Sequence, residues 1–337
     1  MGSIRYVIGF CLFLVCGSVF GISSYERKAT LSTMVEKDFQ ALSPETRSWI
    51  EKQQVRIDQF DQAMAKVNCD KLLSKVHEAS KRIEKPATYG LLPEHIGKNV
   101  HVGCVPYDET RALRHIEGFY ISASDVLTPE QAYIVGEAPG GDTEAIFWRA
   151  MIEAHVQTVV ALCTPDGDAY WDSDRFPKTI RRWRIEKVSE EEEGKSPFFF
   201  THRIIRRGFR LFNLDTGESR FLTHLHYENW PDHDAPESSL FHKFLDLVDE
   251  SNSDSSNPIF VHCAAGIGRS GTFVAAHSLR KEIQACKGSK NPHYINIAKR
   301  ILELRIQRKK LLSKPTQLRA VIEAVRDAIH QNIGNIR

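Results

Sequence analysis

Between Thr30 and about Glu84, apolar residues recur at helical spacing. Ser43-Pro44-Glu45 marks a helix start, with a capping hydroxyl and a proline at the first helical position. Trp49, Val55, Phe60 and Met64 continue that stripe, and Cys69-Asp70-Lys71-Leu72-Leu73 opens another segment with Val76 on its face. Both read as packing or spacer helices. Phe147-Trp148-Arg149 opens an amphipathic helix, and Thr158 to Cys163 is an apolar run of strand length. From Thr179 to Tyr227 basic and apolar residues alternate, which predicts antiparallel strands. Gly208 and Asp215-Thr216-Gly217 are the turn signals, and Glu190 to Glu193 reads as an acidic surface turn. Leu240 to Glu250 is helical, and Ser251 to Asn257 is a polar loop. Pro258 to Val261 is a buried strand, with a helix from Thr272 behind it. Tyr294 to Arg305 and Val321 to Ile329 predict two closing helices.

The amino terminus departs from this pattern. Arg5 leads into the apolar run from Tyr6 to Cys16, followed by Gly17, Ser18, Val19 and Gly21. That order is similar to a secretory signal peptide, and the run is short of the ~20 apolar residues a membrane span needs. The expectation is an exported protein; the alternative is membrane anchorage through an uncleaved segment. The expected organisation is a leader over 1–21, a helical extension over 22–69 and a catalytic domain over 70–332.

Composition adds bounds. The chain has 337 residues, 42% hydrophobic and 26% charged, enough for one large core plus an extension. A net charge of +2 gives no general pull toward nucleic acid. Arg203, Arg206, Arg207 and Arg210 read as solvated strand faces rather than a binding patch. Outside the leader stand Cys69, Cys104, Cys163, Cys263 and Cys286, an odd number without disulfide-framework spacing. Cys263 is read as reactive and the others as ordinary thiols. A reactive thiolate sits awkwardly with an oxidising exterior. Delivery into another cell, or an anchor that leaves the domain facing cytosol, would reconcile the two.

The chemistry concentrates after the strand ending at Val261. His262-Cys263-Ala264-Ala265-Gly266-Ile267-Gly268-Arg269-Ser270-Gly271 is a glycine-rich turn running into a helix. Glycines let successive backbone amides point inward, and a helix start adds positive potential, so the turn suits an anion. Cys263 stands at its mouth, where the same field stabilises a thiolate. Arg269 supplies a planar fork for two phosphate oxygens.

His-Cys, five residues, then Arg-Ser resembles the signature of the tyrosine-specific branch of cysteine-based protein tyrosine phosphatases. Ala264 stands where that branch usually has Ser. Gly118 to Ser124 and Tyr133 to Pro139 resemble two of the family's strands. Trp230-Pro231-Asp232 resembles its acid loop, and Arg305-Ile306-Gln307-Arg308 its Arg-x-Gln-Arg motif. Lys98-Asn99 and Pro106-Tyr107-Asp108 frame its phosphotyrosine loop. There His101 takes the place of a substrate-stacking Tyr, and Gly103 that of an Asp that holds the peptide backbone. Ser313-Lys314 replaces the Gln-Thr pair that positions water, while Gln317 is retained.

The resemblance implies an α/β fold, a highly twisted mixed sheet flanked by helices with a helical N-terminal extension. It implies hydrolysis of phosphotyrosine in proteins through a phosphocysteine. Cys263 would be the nucleophile, Asp232 the general acid and Arg269 the phosphate fork, with Ser270 bonding the departing sulfur and His262 tuning it from behind. Ala264, Ala265, Gly266, Ile267 and Gly268 would cradle the phosphate, His101 would stack on the ring, and Gln317 would steer water. No metal or cofactor is implied, and the partners are phosphotyrosyl proteins. Asp166 or Asp168 could brace Arg269, although Asp-Gly also reads as a plain turn. Two alternatives stay open: a phosphotyrosine-binding protein with impaired turnover, and a phosphatase of broader or non-protein specificity.

Overall fold

All five residues of Ile259–Cys263 are buried, as for a parallel strand covered on both faces. A computed structural model shows the molecule built around that strand. It describes residues 24–164, 169–252, 256–287 and 292–334. The leader, and Asp166 and Asp168, lie outside the described residues. Among the described residues, no helix is long and apolar enough to cross a membrane.

The chain begins with α1 (Ser24–Gln40), α2 (Pro44–Glu51), β1 (Val55–Arg56), α3 (Phe60–Met64) and α4 (Cys69–Lys81). Next come α5 (Pro93–Ile96), β2 (Ala123–Leu127), β3 (Ala132–Glu137), α6 (Glu144–Glu153) and β4 (Thr158–Ala161). Four strands follow: β5 (Lys178–Ile180), β6 (Trp183–Lys195), β7 (Arg203–Asn213) and β8 (Ser219–Glu228). The chain closes with α7 (Ser238–Ser251), β9 (Ile259–Cys263), α8 (Gly268–Ala285), β10 (Tyr294–Ile295), α9 (Ile297–Gln307) and α10 (Pro315–Gly334).

Eight strands form one mixed sheet in the order β2-β3-β9-β4-β8-β7-β6-β5. The central four, β3, β9, β4 and β8, are parallel. The outer pairs are antiparallel. Alternation along the central strands divides the interior. Val160, Val261 and Cys263 join one core with the helices α7 to α10, while Val159, Ala161 and Phe260 join another with α6. Each fully buried aliphatic contributes about 1.5–3 kcal/mol, so the strand that presents Cys263 is among the most firmly held parts of the fold.

Several sequence expectations need correction. The stripe from Trp49 to Met64 is not one helix: α2 ends at Glu51, and Val55 lies in β1, which pairs with β10. Tyr294 likewise belongs to β10, and α9 begins at Ile297 under the Asn296 cap. Glu190 to Glu193 is not a turn but part of β6: Glu190 to Glu192 are in register with Arg207 to Ile205 of β7, and Glu193 falls at a register shift. The solvated arginines are ion-paired: Arg203 meets Glu228, Arg206 meets Glu193, and Arg210 meets Glu186. Arg207 is itself buried and pairs with Glu190. Gly208 is no turn either; it lies inside β7 at a register shift, where an added Cβ would come 2.7 Å from Ser189 Oγ. The hairpin instead turns at residues 196–202. Asp215-Thr216-Gly217 does turn, with Gly217 at φ +75°.

Candidate active site

β9 ends at Cys263 and α8 begins at Gly268, so four residues make the turn between them. Its carbonyls are all claimed by donors outside the loop or later in the helix. Ala264 O accepts from Ala138 N at 3.2 Å. Arg308 Nη2 donates to Ala265 O at 3.1 Å and Arg308 Nε to Gly266 O at 2.8 Å. Ile267 O accepts from the amides of Gly271 and Leu312. In a trans peptide the N–H lies opposite the C=O. The amides of Ala265, Gly266, Ile267 and Gly268 therefore turn toward the inside of the loop. Arg269 and Ser270 add N–H groups from the first turn of α8, which have no intrahelical acceptor. Among the described residues, none of these amides has an acceptor.

Glycine is required at Gly266. Its φ is +65°, and an added Cβ would lie 2.1 Å from Gly136 O. At Gly268 the same atom would meet Gln317 Nε2 at 2.8 Å. The backbone thus passes close to its neighbours with the geometry of an anion cradle.

Cys263 opens into a cleft of ≈ 610 Å³, floored by Ala264, Ala265, Ile267 and Gly268. Arg269 stands behind it, 7% exposed. Its Nη1 donates to Trp230 O at 3.0 Å, and its Nη2 lies 3.2 Å from Asp232 Oδ1. Its Nε is buried and has no hydrogen-bond partner among the described residues. That leaves an unfilled donor on a buried guanidinium, which favours an anionic guest. Ser270 Oγ is also buried, without a partner among the described residues.

The segment carrying Asp232 is hinged between two non-glycine residues with positive φ, Asn229 at 62° and His233 at 60°. Trp230 is buried against Tyr227 and Phe241 and donates its ring N–H to Asp234 O at 2.9 Å. Asp232 itself projects into the cleft and is largely exposed. A buried, hydrogen-bonded tryptophan thus stands two residues before an exposed carboxyl.

Behind the cysteine, His262 is fully buried, with Nε2 2.9 Å from Tyr170 Oη. Tyr170 Oη also meets His224 Nε2 at 2.9 Å. Burial, then the charge of Arg269, pushes His262 down to about 3, so the ring is neutral. The ring packs against Tyr170 and Phe260.

His101 reaches the cleft wall beside Cys263. Its Nδ1 stands 3.7 Å from Glu137 Oε1, beyond hydrogen-bond length. Glu137 holds that segment by its backbone: its two oxygens accept from Val100 N at 3.0 Å and His101 N at 3.1 Å. Glu137 is in register with Cys263 across the β3–β9 pair, so one strand position positions both. Burial pushes its carboxyl above the usual range, against the opposing pull of Arg308.

Gln317 is buried at the start of α10. Its Oε1 accepts from Ser313 N and Lys314 N, each at 3.2 Å, leaving only Nε2 open over Gly268. The expectation that Gln317 steers water is narrowed to a single donor.

The structure thus gathers Cys263, Ala264, Ala265, Ile267, Gly268, His101 and Asp232 around one cleft. Arg269, Ser270, Gly266 and Gln317 lie against it, and His262 lies behind. Sequence reasoning used Glu137 and Arg308 only as landmarks of a resemblance and missed their positioning roles. It also missed that α4 supplies part of the wall, through Asp70, Leu73, Ser74 and His77. No local pattern announces such contacts. Among the described residues, no group of three or more His, Cys, Asp or Glu side chains could hold a metal ion.

Residues 95–327 match the sequence model of the protein-tyrosine phosphatase family. Tyrosine-protein phosphatase non-receptor type 2 from Mus musculus is 31% identical over 257 residues, 72% of this chain and 60% of that protein. Tyrosine-protein phosphatase 2 from Dictyostelium discoideum is 33% identical over 219 residues, 63% of this chain and 55% of that one. Receptor-type tyrosine-protein phosphatase eta from Homo sapiens is 26% identical over 359 residues, covering 96% of this chain and 25% of its own length. This chain spans 60% or less of the length of these three curated relatives. A match over more than half of the chain, on a mixed sheet with a cysteine at the mouth of an amide cradle, places it plainly: the chain belongs to the protein-tyrosine phosphatase family.

Proposed function

We propose that the protein hydrolyses phosphotyrosine in other proteins through a phosphocysteine intermediate. The observation that carries this reading is the loop after Cys263: its carbonyls are turned out to protein donors, so its amides turn inward, and the buried Nε of Arg269 is left without a partner among the described residues. Such preorganised donors stabilise the charge that develops on equatorial phosphoryl oxygens. The sulfur of Cys263 attacks phosphorus in line. The P–O bond to tyrosine breaks, and Asp232 as a carboxylic acid gives the phenolic oxygen its proton. In the second step Asp232, now a carboxylate, takes a proton from water. That water attacks phosphorus, and the P–S bond breaks to release phosphate and the thiolate. Ser270 Oγ, buried and without a partner among the described residues, is available to donate to the departing sulfur.

The second step has fewer positioning groups than the first. Ser313 offers a short hydroxyl, and Gln317 only its Nε2. Rapid mixing with an aryl phosphate should therefore show a burst of phenol, stoichiometric with enzyme, before a slower steady rate. A Cys263→Ser variant should lose roughly 10⁵- to 10⁶-fold in turnover under reducing conditions. Asp232→Ala should lose about 10²- to 10⁴-fold while still binding phosphotyrosine. Steady phosphate release by Cys263→Ser would exclude the mechanism. Equal turnover of phosphoserine and phosphotyrosine peptides would exclude the substrate class.

A further inference from the structure

The segment from Tyr89 to Cys104 folds with its polar groups inside and its aliphatic groups outside. His95 and Asn99 are 3% and 8% exposed, whereas Ile96, Val100 and Val102 are 45%, 64% and 52% exposed. Asn99 Nδ2 donates to Gly90 O at 2.7 Å and His95 O at 3.2 Å, and its Oδ1 accepts from Tyr120 Oη at 2.5 Å. The His95 ring stacks on Tyr120 with centroids 4.8 Å apart. Glu137 fixes the amides of Val100 and His101 from the other side. The backbone is therefore held by buried polar partners, and the aliphatic side chains contribute little to folding. Large aliphatic side chains left in water within one short segment mark a contact site.

The occupant follows from where the patch begins. Val100 and Val102 bracket His101, which lines the cleft in front of Cys263. Val100 also borders an apolar hollow with Ile121, Pro139 and Ile146. A chain whose phosphorylated side chain reaches Cys263 past His101 has Val100 and Val102 on either side of that residue. Gly103 supplies no side chain to bond it. Elsewhere the cleft lining carries charges, Asp70, Lys310 and Lys314. Between Tyr89 and Cys104 the formal charges, Glu94 and Lys98, cancel, so the patch lacks the basic cluster that holds an anionic bilayer.

On the reading that the protein is a phosphotyrosine hydrolase, we infer that its preferred substrates carry apolar residues next to the phosphotyrosine, received by Val100, Val102 and Ile96. Recognition at this wall is by buried area rather than by ion pairs or backbone bonds.

The test compares phosphotyrosyl peptides of equal length and net charge, with Leu and Ile, Ser and Gly, or paired Asp and Lys adjoining the phosphotyrosine. A small aryl phosphate gives the basal rate. The apolar peptides should show about tenfold higher kcat/KM, through KM, equivalent to ~1.4 kcal/mol. A Val100→Asp, Val102→Asp double variant should erase that preference and leave turnover of the aryl phosphate unchanged. Equal kcat/KM for all peptides, or a preference that survives in the double variant, overturns the inference alone. Flotation on neutral and anionic vesicles adds an arm: binding that the double variant loses, without peptide preference, would assign the patch to lipid and overturn it too. A wild type inert on aryl phosphate and peptides alike would sink the underlying hydrolase reading, and this inference with it.

Discussion

From Cys263 to Arg269 the backbone is held by donors on its carbonyls, and the side chains are mostly small or buried. From Tyr89 to Cys104 the backbone is held by Asn99 and Glu137, and the side chains left outside are large and aliphatic. Both segments line one cleft, the second through His101 and Cys104. In the first, the groups that matter are peptide amides, so the fold must fix φ and ψ. In the second, they are side chains, so the fold fixes the backbone and leaves the surface open to substitution. On the proposed function, chemistry and selectivity would be separated between two neighbouring pieces of chain.

The contrast can be broken most severely at Gly266. A Gly266→Ala substitution puts a methyl 2.1 Å from Gly136 O at a φ of +65°. The loop must shift, and an error near 1 Å at a reacting centre costs about 10²-fold. Turnover of a small aryl phosphate should fall by at least that factor while circular dichroism is unchanged. Normal turnover would show that the cradle tolerates distortion, and the contrast would be lost.

An intermediate effect comes from behind the cradle. His224, His226 and His262 are buried, and burial holds each below the ordinary histidine range, His262 at about 3. Below pH ~6.5 the unfolded chain takes up protons that the folded chain refuses. The stability from this burial is present above that pH and is lost as pH falls toward the folded values. His262 alone accounts for about 2 kcal/mol between pH 6.5 and 5. Urea unfolding at pH 7 and pH 5 should show at least that loss, and an unchanged midpoint would mean that these rings take up protons in the folded protein.

The smallest expected change is at the rim. An added Cβ at Gly103 meets no atom within 4 Å, so Gly103→Asp fits without repacking. It should lower KM for phosphotyrosyl peptides about threefold to tenfold by bonding their amides, the gain expected of one charge-assisted bond partly exposed to water. Turnover of the small aryl phosphate should stay the same. A change in that basal rate would mean the two segments are coupled after all.

The cradle could be read from the sequence because its parts are contiguous: cysteine, glycines and arginine lie within seven positions, between a strand and a helix. The mixed sheet could be expected from the resemblance. What holds the cradle could not, because Arg308 reaches Ala265 and Gly266 from more than 40 positions away. Glu190 to Glu193 looked like a turn because four acidic residues in a row resemble a solvated loop. Their partners, Arg207 and Arg206, lie across a hairpin and become neighbours only when the strands pair. The stripe through Val55 failed for the same reason, since its true partner is Ile295.

That last pairing reaches beyond secondary structure. β1 joins β10 by only two residue pairs, and Asn296 Nδ2 adds a bond to Ile50 O at 2.7 Å. These stitches hold the amino-terminal helices against α9 and α10, with α4 forming one bank of the catalytic cleft. A fragment trimmed to residue 95, where the match to the family model begins, would keep Cys263 and lose that bank.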